Sequence, residues 1–328
     1  MTHERTTPNA QRWLHRLAAI LAVGTVLLIA KGGLVHSAGA GLSVPDWPTT
    51  YGENMFTYPV EKWTGGIVYE HGHRLIASGI GVLTIAVMVM IWLYDDRRWL
   101  RWLGVGALVA VIVQGVLGGL TVLMRLPTAV SVSHAMLAQS FLIATVLMAA
   151  ATARAWREPE NPVAVPTGAG LQKLLLATFI FTFVQILLGA ITRHTYSGMA
   201  IVDFPLNNGK IIPDFTHFGV MIQYAHRVGA VILTAMIFTQ GIRILRSREL
   251  TVLRAPATLA MIMVAVQFLL GATVIWTREA IVPNTAHVAG GALTFILVFL
   301  TYARSVRFYR FADMAEDTAA VRMHGVKA

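Results

Sequence analysis

Eight stretches of this chain are long and apolar enough to cross a membrane, at about 15–36, 70–94, 102–124, 129–152, 171–192, 217–243, 254–276 and 284–304. A spanning helix needs about 20 mostly apolar residues. The breaks are charged or proline-rich, as in Asp95-Asp96-Arg97-Arg98 and Arg157-Glu158-Pro159-Glu160-Asn161-Pro162. In hydrocarbon, backbone polar groups must bond within the protein, which leaves helices or a closed barrel. A barrel would show short alternating strands, and these runs are long and unbroken. The expected class is an all-α membrane protein. Composition agrees: 56% of residues are hydrophobic and 13% charged, about half the charged share of a soluble domain. That excludes a soluble enzyme and a disordered chain. The absence of cysteine excludes disulfides, thiolate metal sites and iron–sulfur clusters.

The net charge of +10 is a topology signal. Of 26 Lys and Arg, 18 fall on the side holding the N-terminus, the 2–3, 4–5 and 6–7 loops and the C-terminus. Basic loops stay inside, so both termini are expected to be cytoplasmic, and no nucleic acid is expected. Arg12 and Arg16, an apolar run and Ser37-Ala38-Gly39-Ala40 also resemble a cleavable signal peptide. The run is long enough to span and pairs with an internal span, so an uncleaved first span is expected.

The chain repeats itself. His73-Arg74 in span two and His134 in span four match His226-Arg227 and His287 in spans six and eight, 153 residues on. Gln114, Leu117 and Gly118 match Gln267, Leu270 and Gly271 at the same offset. Gly32…Asp46-Trp47-Pro48 resembles Gly189…Asp203-Phe204-Pro205 at an offset of 157. An even number of spans per repeat inserts both halves in the same direction, which predicts two four-helix bundles related by a pseudo-two-fold axis along the membrane normal. The divisions are 1–152, a cytoplasmic linker 153–170, 171–304 and a polar cytoplasmic tail 305–328.

His73, His134, His226 and His287 lie near the outer ends of the even-numbered spans, His226 somewhat deeper. Each half therefore brings two imidazoles inward at similar depth. Intramembrane ionisable residues are costly and mark function. Two histidines from facing helices, without thiols and, at His134, His226 and His287, without nearby carboxylates, suit haem iron better than zinc, which takes three or four close ligands. Arg74 and Arg227 are expected to grip haem propionates; snorkelling to lipid phosphate is the alternative. Glu70 lies one turn before His73 on the same face. Its counterpart is Gln223, which cannot ionise, so one reactive and one retained cofactor site are expected. Capping of the helix start by Glu70 is the rival reading.

The run Gly32-Gly33-Leu34-Val35…Gly39-Ala40-Gly41-Leu42-Ser43…Pro45-Asp46-Trp47-Pro48, then Glu70-x-x-His73-Arg74, His134, His226-Arg227 and His287, resembles haem A synthase through all eight spans. The resemblance implies oxidation of the C8 methyl of haem O to a formyl group. Two successive hydroxylations and loss of water from the gem-diol would give the haem A of terminal oxidases. It implies that His226 and His287 hold a haem b cofactor, that His73 and His134 hold the substrate haem, and that Glu70 is the catalytic carboxylate. It further implies a bacterial inner-membrane location with haem sites toward the outer side. Haem O synthase and terminal oxidase assembly are the expected partners, beside membrane lipid and an unidentified electron donor. Two departures stand out. Many bacterial members carry a cysteine pair in the first outer loop, where Val44 occupies the first position. An arginine often stands where His36 is found, so His36 is a spare ligand or an interfacial loop residue.

Gly104, Gly118-Gly119, Gly189 and Gly198 are expected to serve helix packing, and Gln114 and Gln267 interhelical hydrogen bonds. Aromatic residues of the loop 37–69 are expected in an interfacial belt or a lid. His71, His194 and His217 are expected to be solvated. The rival function is a quinol-linked di-haem b-type membrane electron carrier, which needs no Glu70 and places haems at two depths. A parallel-repeat transporter would need broken helices near the midplane, which the sequence lacks.

Overall fold

A computed structural model describes residues 7–157, 162–165 and 169–311. The helices are α1 (Pro8–Ser37), α2 (Gly66–Tyr94), α3 (Arg98–Leu123), α4 (Thr128–Thr152), the four-residue α5 (Arg154–Arg157), α6 (Ala169–His194), α7 (Phe218–Arg246), α8 (Thr251–Trp276) and α9 (Ile281–Phe308). All but α5 are long and apolar enough to cross a membrane, so this is an all-α, multi-pass membrane protein. α1 starts about two turns before the expected span. Thr7 explains the start: its hydroxyl accepts the Ala10 N–H at 3.3 Å, and Pro8 follows at the first helical position, where its missing N–H costs nothing.

Within the first half, α1–α2, α2–α3, α3–α4 and α1–α4 contacts close a ring. The second half closes the equivalent ring through α6–α7, α7–α8, α8–α9 and α6–α9. The rings meet along α1–α9 and α4–α6, with a lesser α4–α9 contact. Exchanging α1 with α6 and α4 with α9 turns one seam contact into the other. Buried Leu14, Leu21, Val87, Ile91, Leu100 and Phe141 fill the first ring. Leu233, Ile237, Val264 and Val298 fill the second, and Ala22, Leu142, Val146, Ala292 and Phe299 fill the seam. Lipid tails are as apolar as these side chains, so the packing rests on close fit rather than on escape from water.

On the side opposite the histidines, β1 (Val163–Val165) pairs in parallel with β2 (Tyr309–Phe311). The Tyr309 hydroxyl accepts the Val252 N–H and donates to the Glu249 carbonyl, both at 3.2 Å. The expected linker 153–170 and tail 305–328 are thus not plain connections. α9 runs on to Phe308, and a strand from the linker joins a strand from the tail. Residues 158–161 and 166–168 of the linker and 312–328 of the tail lie outside the described residues.

Candidate functional site

The four repeat histidines occupy one level. His73, His134, His226 and His287 are the eighth, seventh, ninth and seventh residues of their helices, so His226 is only marginally deeper than His73. Each imidazole rests on a glycine of the preceding long helix. A Cβ added to Gly32 would lie 3.1 Å from His73 Cε1, and one on Gly118 3.1 Å from His134 Cε1. The matching distances are 2.9 Å from Gly189 to His226 and 3.3 Å from Gly271 to His287. Gly118 and Gly189, read above as helix-packing residues, are seats for rings. The signal was present in the sequence as four glycines at repeat-matched positions.

The histidines fall into pairs. The His226 and His287 rings have centroids 6.3 Å apart at 85°. That gap admits one iron between two nitrogens at about 2 Å each, the usual metal–imidazole distance. His73 and His134 take the corresponding places in the first half, each over its glycine seat. The Nδ1 atoms of His73, His134 and His287 are buried without a partner, which is uncommon and calls for an explanation. Among the described residues no group of three or more His, Asp or Glu is placed to hold a metal ion. Paired neutral imidazoles in apolar surroundings, with small-residue cradles beside them, fit a bis-imidazole haem in each half.

Three glutamines fix the backbone behind three of these rings. Gln114 and Gln267 each donate to the carbonyl of their histidine, His134 and His287, at 3.0 Å, the interhelical bonds expected from the sequence. Gln185 donates to the His226 carbonyl at 2.8 Å and lies 3.0 Å from its Nδ1. Gln185 was missed because its counterpart in span one, at an offset of 157, is Leu28.

The loops at the histidine end of both halves are strapped to the histidine helices in the same way. Arg74 Nη1 donates to the carbonyls of Asp46 and Thr49 at 2.7 and 3.1 Å, and its Nη2 to Val44 O at 2.9 Å and Glu70 Oε1 at 2.7 Å. Arg227 repeats this on Asp203, Leu206 and Ile201, at 2.8, 2.9 and 3.1 Å. The sequence reading gave these arginines to haem propionates. In the structure their terminal donors hold loop carbonyls, since a forked guanidinium satisfies several at once. Glu70 is 4% exposed and accepts the Val44 N–H at 2.8 Å through Oε2. Gln223 accepts the equivalent Ile201 N–H at 2.6 Å. Glu70 therefore bonds the covering loop instead of capping α2, whose first turn holds no acidic residue. Val44, at the position of the absent cysteine, is the residue whose backbone bridges Glu70 and Arg74.

Within the loops, Asp46 accepts the N–H groups of Tyr51 and Gly52, both at 2.8 Å. Burial raises the Asp46 carboxyl, but the Gly52 N–H, the Thr49 hydroxyl and the Tyr51 N–H outweigh it and hold the group below its ordinary value. Asp203 is lowered chiefly by the Gly209 N–H. Trp47 covers Gly119 of α3, where an added Cβ would collide with the indole. Phe204 takes the corresponding place against Phe268 and Trp276.

Two of the histidines expected to be solvated are not. His71 is fully buried under the first loop, 3.1 Å from the Thr50 hydroxyl and edge-on to Trp63 at 4.6 Å. His194 is half-buried and packs edge-on against His36 at 4.9 Å. His36 also stacks on Tyr196 at 5.9 Å, so it joins the two halves at the histidine end of their seam. Its repeat partner Arg193 crosses the same seam to Gly33 O at 2.7 Å and Ser37 Oγ at 2.8 Å, and within its own half reaches Asn284 Oδ1 at 2.9 Å. His217 is exposed, as expected.

Residues 15–299 match the family described as cytochrome oxidase assembly protein (COX15-CtaA). The chain belongs to this family. Its curated relatives include "Heme A synthase" of Alkalihalophilus pseudofirmus, 25% identical over 87% of this chain and 96% of that protein. Proteins of the same name from Shouchella clausii and Symbiobacterium thermophilum are 29% and 30% identical, over 81% and 78% of this chain and 88% and 84% of theirs. The matched span of the COX15-CtaA chain contains all four histidines, their glycine seats, Glu70 and both loop-strapping arginines.

Proposed function

We propose that this protein makes haem A, oxidising the C8 methyl of haem O to a formyl group in the N-terminal half while the C-terminal half retains haem b. The observation that carries the reading is the pair of matched two-histidine sites that differ in one ionisable group: Glu70 stands where the second half has Gln223. The name borne by the relatives points the same way. An electron carrier would have no use for a buried carboxylate at one site alone.

Haem b supplies reversible one-electron chemistry at its iron. The protein does the rest. His226 and His287 hold the cofactor, and His73 and His134 hold the substrate haem. Gly32, Gly118, Gly189 and Gly271 set the ring positions. The strapped loops close the outer ends and keep bulk water away. Glu70 Oε1 and Oε2 are tied to Arg74 and Val44 N–H, so the carboxylate is held one turn from His73 and takes up a proton there. The arginines order the loops that cover the sites. Haem O synthase would supply the substrate and terminal oxidase assembly would take the product. The location that fits is a bacterial inner membrane with both termini cytoplasmic and the histidines toward the outer side.

The test is haem extraction and chromatography of the protein purified with and without co-expressed haem O synthase. Haem b alone in the control, joined by haem O and haem A on co-expression, is expected. Two haem b per chain, unaffected by haem O supply, would replace this reading with the electron carrier.

A further inference from the structure

The four histidine helices are not pinned alike. In α4, α7 and α9 the histidine carbonyl accepts from Gln114, Gln185 or Gln267. Each glutamine lies four residues before the glycine that seats the same ring, so amide and seat share one helix face. In α1 that position before Gly32 is Leu28, half-buried among the apolar residues packed on the first core. The neighbouring residue has changed with it. The Gln185 amide fills the space beside Gly229, where an added Cβ would collide with it. The α2 residue equivalent to Gly229 is Ile76, which is 45% exposed. The N-terminal half has thus exchanged an amide and a glycine for Leu28 and Ile76. His73 loses both the clamp on its carbonyl and the ring contact that Gln185 gives His226.

We infer that His73 is the yielding ligand of the N-terminal site, the side on which haem O enters and haem A leaves. The inference rests on the two-site reading above. A cofactor site gains from two fixed ligands. A substrate site must release its haem every turnover, yet still position it. One fixed ligand, His134 held by Gln114, and one free ligand, His73, meet both needs. Fixing a helix through an interhelical hydrogen bond in a membrane changes an equilibrium by about 3- to 20-fold, enough to separate an exchanging site from a retaining one without preventing binding.

The test follows haem transfer from the full-length, detergent-solubilised protein to excess apomyoglobin by absorbance. His287→Ala leaves the N-terminal site alone, and His134→Ala leaves the C-terminal site alone. The N-terminal site is expected to release haem several-fold faster. Leu28→Gln with Ile76→Ala, added to the first protein, should slow release by about 3- to 20-fold. Gln185→Leu, added to the second, should speed it by a similar factor and introduces no new buried polar group that could hinder folding. Equal release from the two sites would overturn the inference, as would a Leu28→Gln, Ile76→Ala protein that binds haem but releases it at the unmodified rate. If the His287→Ala protein binds no haem O at all, the two-site reading itself falls, and this inference with it.

Discussion

The loop at the histidine end of the first half is strapped to α2 by Glu70 and Arg74; that of the second half is strapped to α7 by Gln223 and Arg227. The bonded loop residues are the same in both, 44, 46 and 49 in one and 201, 203 and 206 in the other. The scaffold is therefore indifferent to whether the acceptor of the loop N–H is a carboxylate or an amide. What the difference adds is a buried ion pair in one half only, Glu70–Arg74 at 2.7 Å with side chains 5% and 10% exposed. A buried pair is weak evidence of stabilisation, because desolvation offsets its attraction. An amide already does the structural work in the second half, which is the ground for proposing that the charge in the first serves chemistry.

The largest expected effects separate the halves by haem content. His226→Ala or His287→Ala should abolish haem b. His73→Ala or His134→Ala should abolish haem A and leave haem b near one per chain, as read by pyridine haemochrome spectra. Loss of haem b from His134→Ala protein would mean that the halves do not act as separate sites.

Arginine removal comes next. Arg74→Ala strands a buried carboxylate and should cost about 3–5 kcal/mol. Arg227→Ala strands only loop carbonyls and should cost about 1–3 kcal/mol. Thermal unfolding in detergent measures both. Adding Glu70→Gln should bring the Arg74→Ala penalty down to that of Arg227→Ala, a double-mutant comparison that breaks the argument if the gap persists.

Overpacking the seats is a smaller perturbation, about 1–3 kcal/mol each. Gly189→Ala, with its Cβ 2.9 Å from His226, should lower haem b occupancy more than Gly271→Ala, at 3.3 Å from His287. The reverse order would place the cofactor's weaker contact on the wrong helix.

The smallest effect is in the loop turns. Asp46 has a lowered folded-state value, so its stabilisation is present above the ordinary carboxylate value of 3.8 and is lost as pH falls through the lower folded value. Asp46→Asn should therefore destabilise the loop slightly at neutral pH and make no difference in strong acid. Hydrogen exchange at Tyr51 and Gly52 reports it.

Much of this was legible before the structure. Eight apolar runs announce eight helices, and the offset of 153 residues brings out His73, His134, His226 and His287. The seats were visible as glycines but not as seats, because nothing local says that Gly32 faces a ring 41 residues away. Gln185 escaped because the repeat there is broken by Leu28, which proves to be the informative position. The loop contacts of Arg74 and Arg227 were not legible for a different reason. The loops are irregular and are built by side-chain to backbone bonds reaching 20 to 30 residues along the chain, a pattern without periodicity. His71 was misplaced for the same cause, since its burial depends on Thr50, Tyr58 and Trp63 folding over it.

Glu70→Gln gives the first half the residue that the second half already carries, and the loop N–H keeps its acceptor. The protein should be purified after co-expression with haem O synthase, and its haems extracted and separated. Haem b and haem O present at wild-type amounts with haem A reduced at least tenfold is the result expected of a carboxylate that serves the reaction. Haem A at the wild-type level would contradict it and reduce Glu70 to a loop fastener no different from Gln223.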